Sequence, residues 1–462
     1  MSALSRDDLR AIRLLIEQKA SRDAGIVQLE SYLQQHPGDG AGWFLMGRMF
    51  GMRNNHALVE MAMRRAADLE PANIDVLWEL YKALNQLRRP MEALALADRI
   101  RGIDASDPRG YLGRGVVHER LGEFDACIEW CERALELDSG NQHAMATMGF
   151  AYLHKRDYAR GWPAYHRGLG HIEHRDKRTF VGEPEWDGTP GRHVVVYSEQ
   201  GLGDQIAGIE PLRNFPGTVS ALAVDPKLRP WFRRCFPTVP YHGVDIEEET
   251  RHPTRPLRVD ASINLFGLHV YLRKREDDYP KTPYLAPHPR KAAMWRAALD
   301  RLGPRPKIGI AWSGGTRLTH EDERTHALAE WVGYLPGEVD LISLEYKNRD
   351  EETAAVAERL GREVHVWPDA IRSPDYEDTA ALISQLDAVV APPTTVIHAA
   401  GAMGVPAFCL VNAHPNPHYG THGERMPYYG SVTLIRTDIE ALCRHLCAYL
   451  SAMTHQRTSR TA

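Results

Sequence analysis

One loop of the sequence places a carboxylate directly after a glycine-rich turn. The apolar run VVVYSEQGLGDQ (194–205) predicts a strand that feeds this turn, and Gly201 and Gly203 would let the backbone come close to a ligand. Asp204 would then lie at the mouth of a cleft, because ligands in open parallel sheets bind beyond the carboxyl ends of the strands. A tight turn in which Asp204 only caps the following helix explains the same residues.

A second loop combines hydroxyl groups with a histidine. In PPTTVIHAAGAMGVP (392–406) two prolines end a strand, and Thr394 and Thr395 then begin a helix whose free N–H groups face the cleft. A helix start of this kind suits a diphosphate, since its amides and dipole favour negative charge. His398 follows one turn later on the same side. An ordinary helix cap with a half-buried histidine is the alternative.

A third loop offers an arginine. WSGGTRLTHEDERTH (312–326) has glycines after a strand and Arg324 before a new helix, so its planar guanidinium could receive phosphate. Arg317 competes for this role. The alternative is a solvated loop in which Asp322 and Glu323 neutralise the arginine.

Strand and helix patterns alternate around these loops. Apolar runs typical of strands occur at 194–205, 219–224, 261–266, 307–312, 340–345, 363–367, 387–391 and 406–411, and helical patterns occur at 350–361, 377–386 and 395–403. This alternation predicts parallel, doubly wound sheets in two units, 184–290 and 304–452. The polar tail 454–462 is predicted to be disordered.

The first 175 residues have an internal period. Ala66, Ile100 and Ala134 lie 34 positions apart, and LGEFDACIEWCERALELD (121–138) resembles the tetratricopeptide consensus. About five helical hairpins are predicted over 1–175, with units starting near 6, 40, 74, 108 and 142. Small residues are expected where two helices approach closely: Gly47, Gly115, Gly149, Ala66, Ala93 and Ala134. Stacked hairpins form a concave surface that binds peptides or proteins; packing on the chain's own catalytic domain, or dimerisation, is the alternative.

Composition narrows the class of protein. The 462 residues include 43% hydrophobic and 25% charged residues, with a net charge of −5 and no basic block, which argues against a nucleic-acid surface. No apolar stretch approaches a membrane span, and the start does not resemble a secretory signal. The two i, i+4 cysteine pairs lack partners at zinc spacing and are expected to face helix cores; the six cysteines are Cys127, Cys131, Cys235, Cys409, Cys443 and Cys447. A reducing cytoplasm is the expected location.

The second half resembles a known family. Residues from about 184 to 452 are similar to bacterial tetratricopeptide-repeat glycosyltransferases and, more distantly, to the ADP-heptosyltransferases and O-linked N-acetylglucosaminyltransferases of the GT-B fold. The matching segments are EQGLGD, IGIAWSGG, DTAALISQLDAVV and TVIHAAGAMGVP. The resemblance implies two Rossmann-like halves, an acceptor side (184–290) and a nucleotide-sugar side (304–452). It also implies inverting sugar transfer without an essential metal or other cofactor.

The same resemblance implies roles for individual residues. It assigns the catalytic base to Asp204, with Glu199 the next candidate, and phosphate contacts to Thr394, His398 and Arg324. Its nucleotide-facing loop begins at Ser343, and Gly201, Gly203 and Thr395 belong to the matched loops. Two positions depart from the family pattern, since an aspartate is replaced by Pro393 and a glutamine by Glu345.

These observations predict a glycosyltransferase that moves a sugar from a nucleotide-sugar donor to a hydroxyl acceptor, a protein recruited by the repeats. A non-catalytic repeat scaffold with a degenerate sugar-nucleotide domain is one alternative. A transferase acting on a lipopolysaccharide-type glycan is another.

Overall fold

The computed structural model describes residues 6–18, 20–171, 175–242, 258–315, 321–412 and 415–461. The chain divides into two compact units, Met1–Ala151 and Tyr152–Ala462. No helix in the described ranges is long and apolar enough to cross a membrane.

The first unit is a series of helices joined by short turns. In the described residues these are α1 (Arg6–Glu17), α2 (Arg22–Gln35), α3 (Gly40–Gly51), α4 (His56–Leu69), α5 (Ile74–Gln86), α6 (Pro90–Ile103), α7 (Pro108–Arg120), α8 (Phe124–Leu137) and the first part of α9 (Gln142–His154). The predicted helical-repeat array is confirmed for α1–α8, in which each helix contacts the next along the chain. Short polar side chains begin several of them; the carboxylate of Asp39, for example, accepts from the backbone N–H of Ala41 at 3.1 Å.

Small residues allow the helices of a pair to pack closely, as the period predicts. A Cβ atom added at Gly47 would lie 2.6 Å from Met63 Cε, and one added at Gly115 would clash with Cys131 Sγ. Ala66, Ala93 and Ala134 are fully buried. The unit therefore owes its shape to a repeated small-against-large contact between paired helices.

The second unit begins with a helix and contains two parallel sheets. The end of α9 belongs to this unit. The other described helices of six or more residues are α10 (Tyr158–Arg167), α11 (Leu202–Gly208), α12 (Arg229–Cys235), α13 (Gly267–Leu272), α14 (Pro289–Asp300), α16 (Leu328–Tyr334), α17 (Asp350–Leu360), α19 (Glu377–Ile383), α20 (Thr395–Met403) and α21 (Ile439–Thr461). Single-turn helices α15 (Glu321–Arg324) and α18 (Pro368–Ile371) lie between them. The first sheet contains β1 (His193–Tyr197), β2 (Thr218–Ala223), β3 (Tyr241–His242) and β4 (Ala261–Asn264). The second contains β5 (Lys307–Ile310), β6 (Asp340–Ser343), β7 (Val364–His365), β8 (Ala388–Ala391), β9 (Ala407–Leu410) and β10 (Val432–Ile435).

Both sheets have the strand order of a doubly wound fold. The order is β3-β2-β1-β4 in the first sheet and β10-β9-β8-β5-β6-β7 in the second, and the pairs are parallel. The predicted parallel α/β region is confirmed; β3 and β10 are strands that the sequence did not predict. The order reverses between β1 and β4 and between β5 and β8, and ligands in open parallel sheets bind beyond the carboxyl ends of the strands at such a reversal.

Three details differ from the sequence predictions. The compact first unit ends at Ala151, so α10 belongs to the sheet unit although the predicted repeats extend to 175. Residues 454–461 continue α21, which ends at Thr461, where a disordered tail was predicted. Cys447 is exposed, so it does not face a core as its spacing suggested, whereas Cys127, Cys131 and Cys443 are buried.

Candidate functional site

Two loops meet at the point where the order of the second sheet reverses. The loop after β5 contains Gly314, and the loop after β8 contains Pro393 and Thr394. A Cβ atom at Gly314 would lie 2.5 Å from Thr394 Cγ2 and 3.3 Å from the carbonyl oxygen of Pro393. Glycine is therefore required for this contact. Pro393 is buried, and it occupies the position at which the glycosyltransferases that the sequence resembles have an aspartate.

Donor groups lie unpaired beside this contact. Helix α20 begins at Thr395, as predicted, but Thr394 does not cap it with its side chain. Instead the Thr394 hydroxyl and the Nε of Arg324 are buried and have no hydrogen-bond partner within the described part of the chain. Arg324 is close to Thr394, since a Cβ atom at Gly314 would lie 3.6 Å from Arg324 Cβ. Buried unpaired donors are costly, and these two lie close together beside the start of α20. Arg317, the competing arginine, lies outside the described residues.

Asp204 lies in the first turn of α11, and the helix cap is Gly201. The interpretation of Asp204 as the cap is therefore wrong. Its side chain is 28% exposed, and Oδ1 lies 3.5 Å from Nε2 of the buried His418. Burial acts to raise the pKa of Asp204, but the hydrogen bond from His418 and the positive charge of Arg324 outweigh it and hold the pKa below its ordinary value. The carboxylate is thus ionised and accessible at neutral pH.

The two glycines of the first loop have different surroundings. Gly201 is exposed, whereas a Cβ atom at Gly203 would lie 3.0 Å from His398 Cδ2 and 3.5 Å from Thr395 Cα. Gly203 therefore allows α11 to approach the start of α20, and the close approach is to the protein itself rather than to a ligand. This contact brings Asp204 next to the helix start at Thr395.

His398 is held between two tyrosines. Its Nδ1 lies 3.1 Å from the Tyr429 hydroxyl, and its Nε2 lies 2.9 Å from the Tyr419 hydroxyl. Burial lowers the pKa of His398 to about 4, so the ring is neutral at physiological pH. Both nitrogens are engaged within the protein, so neither is free for the phosphate contact that was predicted for His398.

Ser343 lies at the end of β6 and is buried. Its hydroxyl accepts from the backbone N–H of Glu345 at 3.3 Å. The buried carboxylate of Glu345 accepts in turn from the backbone N–H groups of Trp312 and Ser313, at 2.8 and 2.7 Å. Ser343 and Glu345 thus fix the backbone of the loop after β5, and Ser343 is not among the side chains gathered around Thr394.

Glu199, the other candidate base, is engaged elsewhere. Its side chain is 2% exposed, and its Oε1 lies 3.8 Å from Arg175 Nη2. The same oxygen accepts from Asn264 Nδ2 at 2.8 Å. A carboxylate in this position has structural partners and little access to a substrate.

Sequence reasoning missed the residues that face Asp204 from the loop after β9. His418 and Tyr419 come from a short 3₁₀ helix, Pro417–Tyr419, within NPHYG. Arg436 donates to the carbonyl oxygens of Tyr419 and Gly420, at 2.6 and 3.0 Å, and so holds the segment in place. The available signal was a cluster of histidine and tyrosine at the carboxyl end of a strand. In the described ranges no group of histidine, cysteine and carboxylate side chains could hold a metal ion.

The tetratricopeptide repeat is the sequence family whose model matches this chain, at residues 108–141. This match coincides with the fourth of the predicted hairpin units. Repeats of this class bind peptides and proteins, so a protein partner is the role that they suggest.

Two other proteins are similar in sequence to part of this chain. Protein FlbA of Caulobacter vibrioides is 31% identical over 362 residues, which cover 71% of this chain and 58% of FlbA. The protein y4yS of Sinorhizobium fredii is 32% identical over 83 residues, which cover 18% of this chain and 46% of y4yS. The chain thus spans about half the length of these relatives.

Solved structures of tetratricopeptide-repeat proteins are similar to part of this chain. MamA of Desulfovibrio magneticus RS-1 is 16% identical with a TM-score of 0.31, covering 36% of this chain and 93% of MamA. YrrB, described as a TPR protein with an unusual peptide-binding site, is 15% identical with a TM-score of 0.29, covering 34% of this chain and 81% of YrrB.

Proposed function

We propose that the sheet unit transfers a sugar from a nucleotide-sugar donor to a hydroxyl acceptor, in two Rossmann-like halves of the GT-B type. One observation carries the proposal. An accessible, ionised carboxylate from the end of β1 lies within electrostatic range of Arg324 and next to the helix start at Thr395. The first sheet thus supplies a base, and the second supplies positive potential.

The arrangement fits both ends of the reaction. The acceptor oxygen attacks the anomeric carbon while its proton passes to the Asp204 carboxylate. The bond from that carbon to the diphosphate breaks, and the leaving oxygen takes the electron pair. The amides at the start of α20, the Thr394 hydroxyl and Arg324 are placed to stabilise the charge that develops there.

The helical unit would select the acceptor. Its tetratricopeptide hairpins present the type of surface that binds peptides, which favours a protein acceptor over a lipopolysaccharide-type glycan. A second candidate function is a binding protein that holds a sugar nucleotide without transferring the sugar. The observation that favours it is Pro393, which offers neither a carboxylate nor an N–H group where the resembling family has aspartate.

The test removes the proposed base without removing its volume. The protein is incubated with a panel of UDP-, GDP- and ADP-sugars and a cell extract that supplies protein hydroxyl acceptors, and release of nucleoside diphosphate is measured. Asp204→Asn should lower turnover by about 10²–10⁴ while leaving donor affinity and the melting temperature unchanged, since an amide cannot readily accept the proton.

Asp187→Asn is the matched control, because Asp187 is an exposed carboxylate of the same unit. It should behave as wild type. Asp204→Asn with normal turnover would exclude Asp204 as the base. Donor binding without any turnover by the wild-type protein would favour the binding-protein function.

A further inference from the structure

The residue that faces Asp204 is a buried histidine. His418 Nε2 lies 3.5 Å from Asp204 Oδ1, within the reach of a hydrogen bond that tightens when substrate binds. The other carboxylate oxygen, Oδ2, lies toward the exposed Gly201, since a Cβ atom there would be 3.5 Å from it. One oxygen of Asp204 therefore faces the protein interior, and the other faces the open side of the loop.

Two contacts fix the His418 ring, and a third fixes its backbone. Its Nδ1 lies 2.8 Å from the Tyr428 hydroxyl. Its face stacks on Phe266, with ring centroids 4.8 Å apart and an interplanar angle of 23°. Its backbone N–H donates to the Asn416 side chain at 3.1 Å. A ring held in this way has a single orientation to offer to Asp204.

The position of the protons follows from the partners. An ionised carboxylate can only accept, so the His418 nitrogen that faces Asp204 must carry hydrogen. A neutral ring then has its lone pair on Nδ1, where the Tyr428 hydroxyl can donate. Burial raises the pKa of Tyr428 well above its ordinary value, so this hydroxyl keeps its proton. Tyr428 can thus donate to the ring nitrogen that carries the lone pair in the tautomer that donates to Asp204.

We propose that His418 is the positioning residue of Asp204, and that Tyr428 sets its tautomer. The inference rests on the proposed function in one respect, namely that Asp204 is the base. His418 donates to Oδ1, which keeps the carboxylate ionised and turns Oδ2 toward the acceptor hydroxyl. When Oδ2 takes up the acceptor proton, the same hydrogen bond holds the carboxylic acid in place.

The first experiment needs no turnover. Nitrogen-15 spectra of histidine-labelled full-length protein are recorded at neutral pH, and the His418 signals are assigned by their loss in His418→Gln. We expect wild-type His418 to carry hydrogen on Nε2. Tyr428→Phe should produce a mixture of tautomers, and Asp204→Asn should shift the Nε2 signal. A tautomer with hydrogen on Nδ1, or one unchanged in Tyr428→Phe, would overturn the assignment.

The second experiment measures the pH profile of kcat for the sugar donor that the wild-type protein uses best. His418→Leu should lower kcat by about 10–100-fold, as the loss of a supporting hydrogen bond does in other sites. It should also move the acidic limb of the profile to higher pH, because Asp204 loses the donor that keeps it ionised. His418→Gln, which retains an N–H donor, should recover part of both effects.

His269→Gln is the matched control for packing. His269 is fully buried, packs against the same Phe266 and has its Nδ1 3.0 Å from the Tyr279 hydroxyl, so it resembles His418 in all but its contact with Asp204. Its variant should keep the wild-type acidic limb. An acidic limb that His418→Leu leaves unchanged would overturn the inference while leaving the proposed function intact. If the wild-type protein transfers no sugar, the proposed function is wrong. The tautomer measurement would still show whether His418 donates to Asp204.

Discussion

The two compact units fill their interiors with different kinds of side chain. In the described residues of the first unit the buried side chains are apolar, with tyrosine the most polar among them. The second unit buries charged and polar groups as well, including His398, His418, Glu345 and Arg273. The difference shows where the chain has retained groups that a core for stability alone would not need.

Most of these buried polar groups are paired, which makes the exceptions informative. Arg273 donates to the Glu210 carboxylate at 2.8 Å, and Glu345 accepts from two backbone amides. By contrast, the Thr394 hydroxyl and Arg324 Nε lack partners within the residues that the structure describes. The close contacts described in the helical unit serve packing, whereas in the sheet unit the contact at Gly314 lies beside the unpaired Thr394 hydroxyl.

Acid should act on the sheet unit more than on the helical unit. The pKa of His398 is about 4 in the folded protein and near 6.5 when exposed, so the unfolded chain binds more protons between these values. Stability is therefore complete above about pH 6.5 and falls as the pH drops toward 4, by about 2–3 kcal/mol at pH 4.5. Denaturant unfolding at pH 7 and 4.5 measures this loss.

His398→Gln should reduce the difference between the two pH values by that amount. His171→Gln, a change at an exposed histidine of the same unit, should not. An acid loss in His398→Gln as large as in wild type would show that other groups are responsible.

Removing one of the unpaired donors should weaken binding of a nucleoside diphosphate and leave binding of the nucleoside unchanged. Arg324→Ala should weaken binding of UDP, GDP or ADP, whichever binds best, by about 1.5–3 kcal/mol, the value of a charged hydrogen bond. Thr394→Val should cost about 1.5 kcal/mol, the lower end of that range, because only the phosphate partner of its hydrogen bond is charged. Titration calorimetry with the diphosphate and with its nucleoside measures the preference.

Arg296→Ala serves as the control, since this arginine is engaged with Gln385 on the surface of the same unit. If Arg324→Ala weakens binding of the diphosphate and of the nucleoside equally, Arg324 is not part of a phosphate site. The two units would then not differ in this respect.

Gly115 and Gly314 leave similarly little room for a Cβ atom. Substitutions at these two glycines should distinguish an effect on packing from an effect on ligand binding. Gly115→Ala in α7 would press on Cys131 and should destabilise the first unit by about 1 kcal/mol, because overpacking is partly offset by the better helix propensity of alanine. It should leave diphosphate binding unchanged. Gly314→Ala would push Thr394 away and should weaken diphosphate binding with little effect on the first unit.

Thermal unfolding and calorimetry on both variants check the pair. A binding loss in Gly115→Ala, or normal binding in Gly314→Ala, would erase the contrast between the two units.

The sequence could predict the first unit because its constraint is local and repeated. Gly47 and Gly115 lie two 34-residue periods apart, as do Ala66 and Ala134, so their positions at helix contacts could be predicted from the spacing. The strands of the second unit were also predictable, since each is a short apolar run, although β3 and β10 were missed. Asp204, Thr394 and Arg324 could be found because each follows a predicted strand.

The partners of these residues could not be predicted in the same way. His418 contacts Asp204 across more than two hundred residues of sequence, and no spacing relates them. The unpaired state of Thr394 and the double engagement of His398 depend on which side chains close around them. Such contacts are a property of packing rather than of local pattern, which is also why the capping role considered for Asp204 was wrong.

Helix α9 begins before Ala151 and ends after it, while Trp162 of α10 lies 3.1 Å from the Tyr279 hydroxyl, to which its Nε1 donates. The last repeat has therefore given its second helix to the sheet unit. The 34-residue units upstream of Gln142 contain neither residue of this aromatic contact. A chain shortened to begin at Gln142 would retain both.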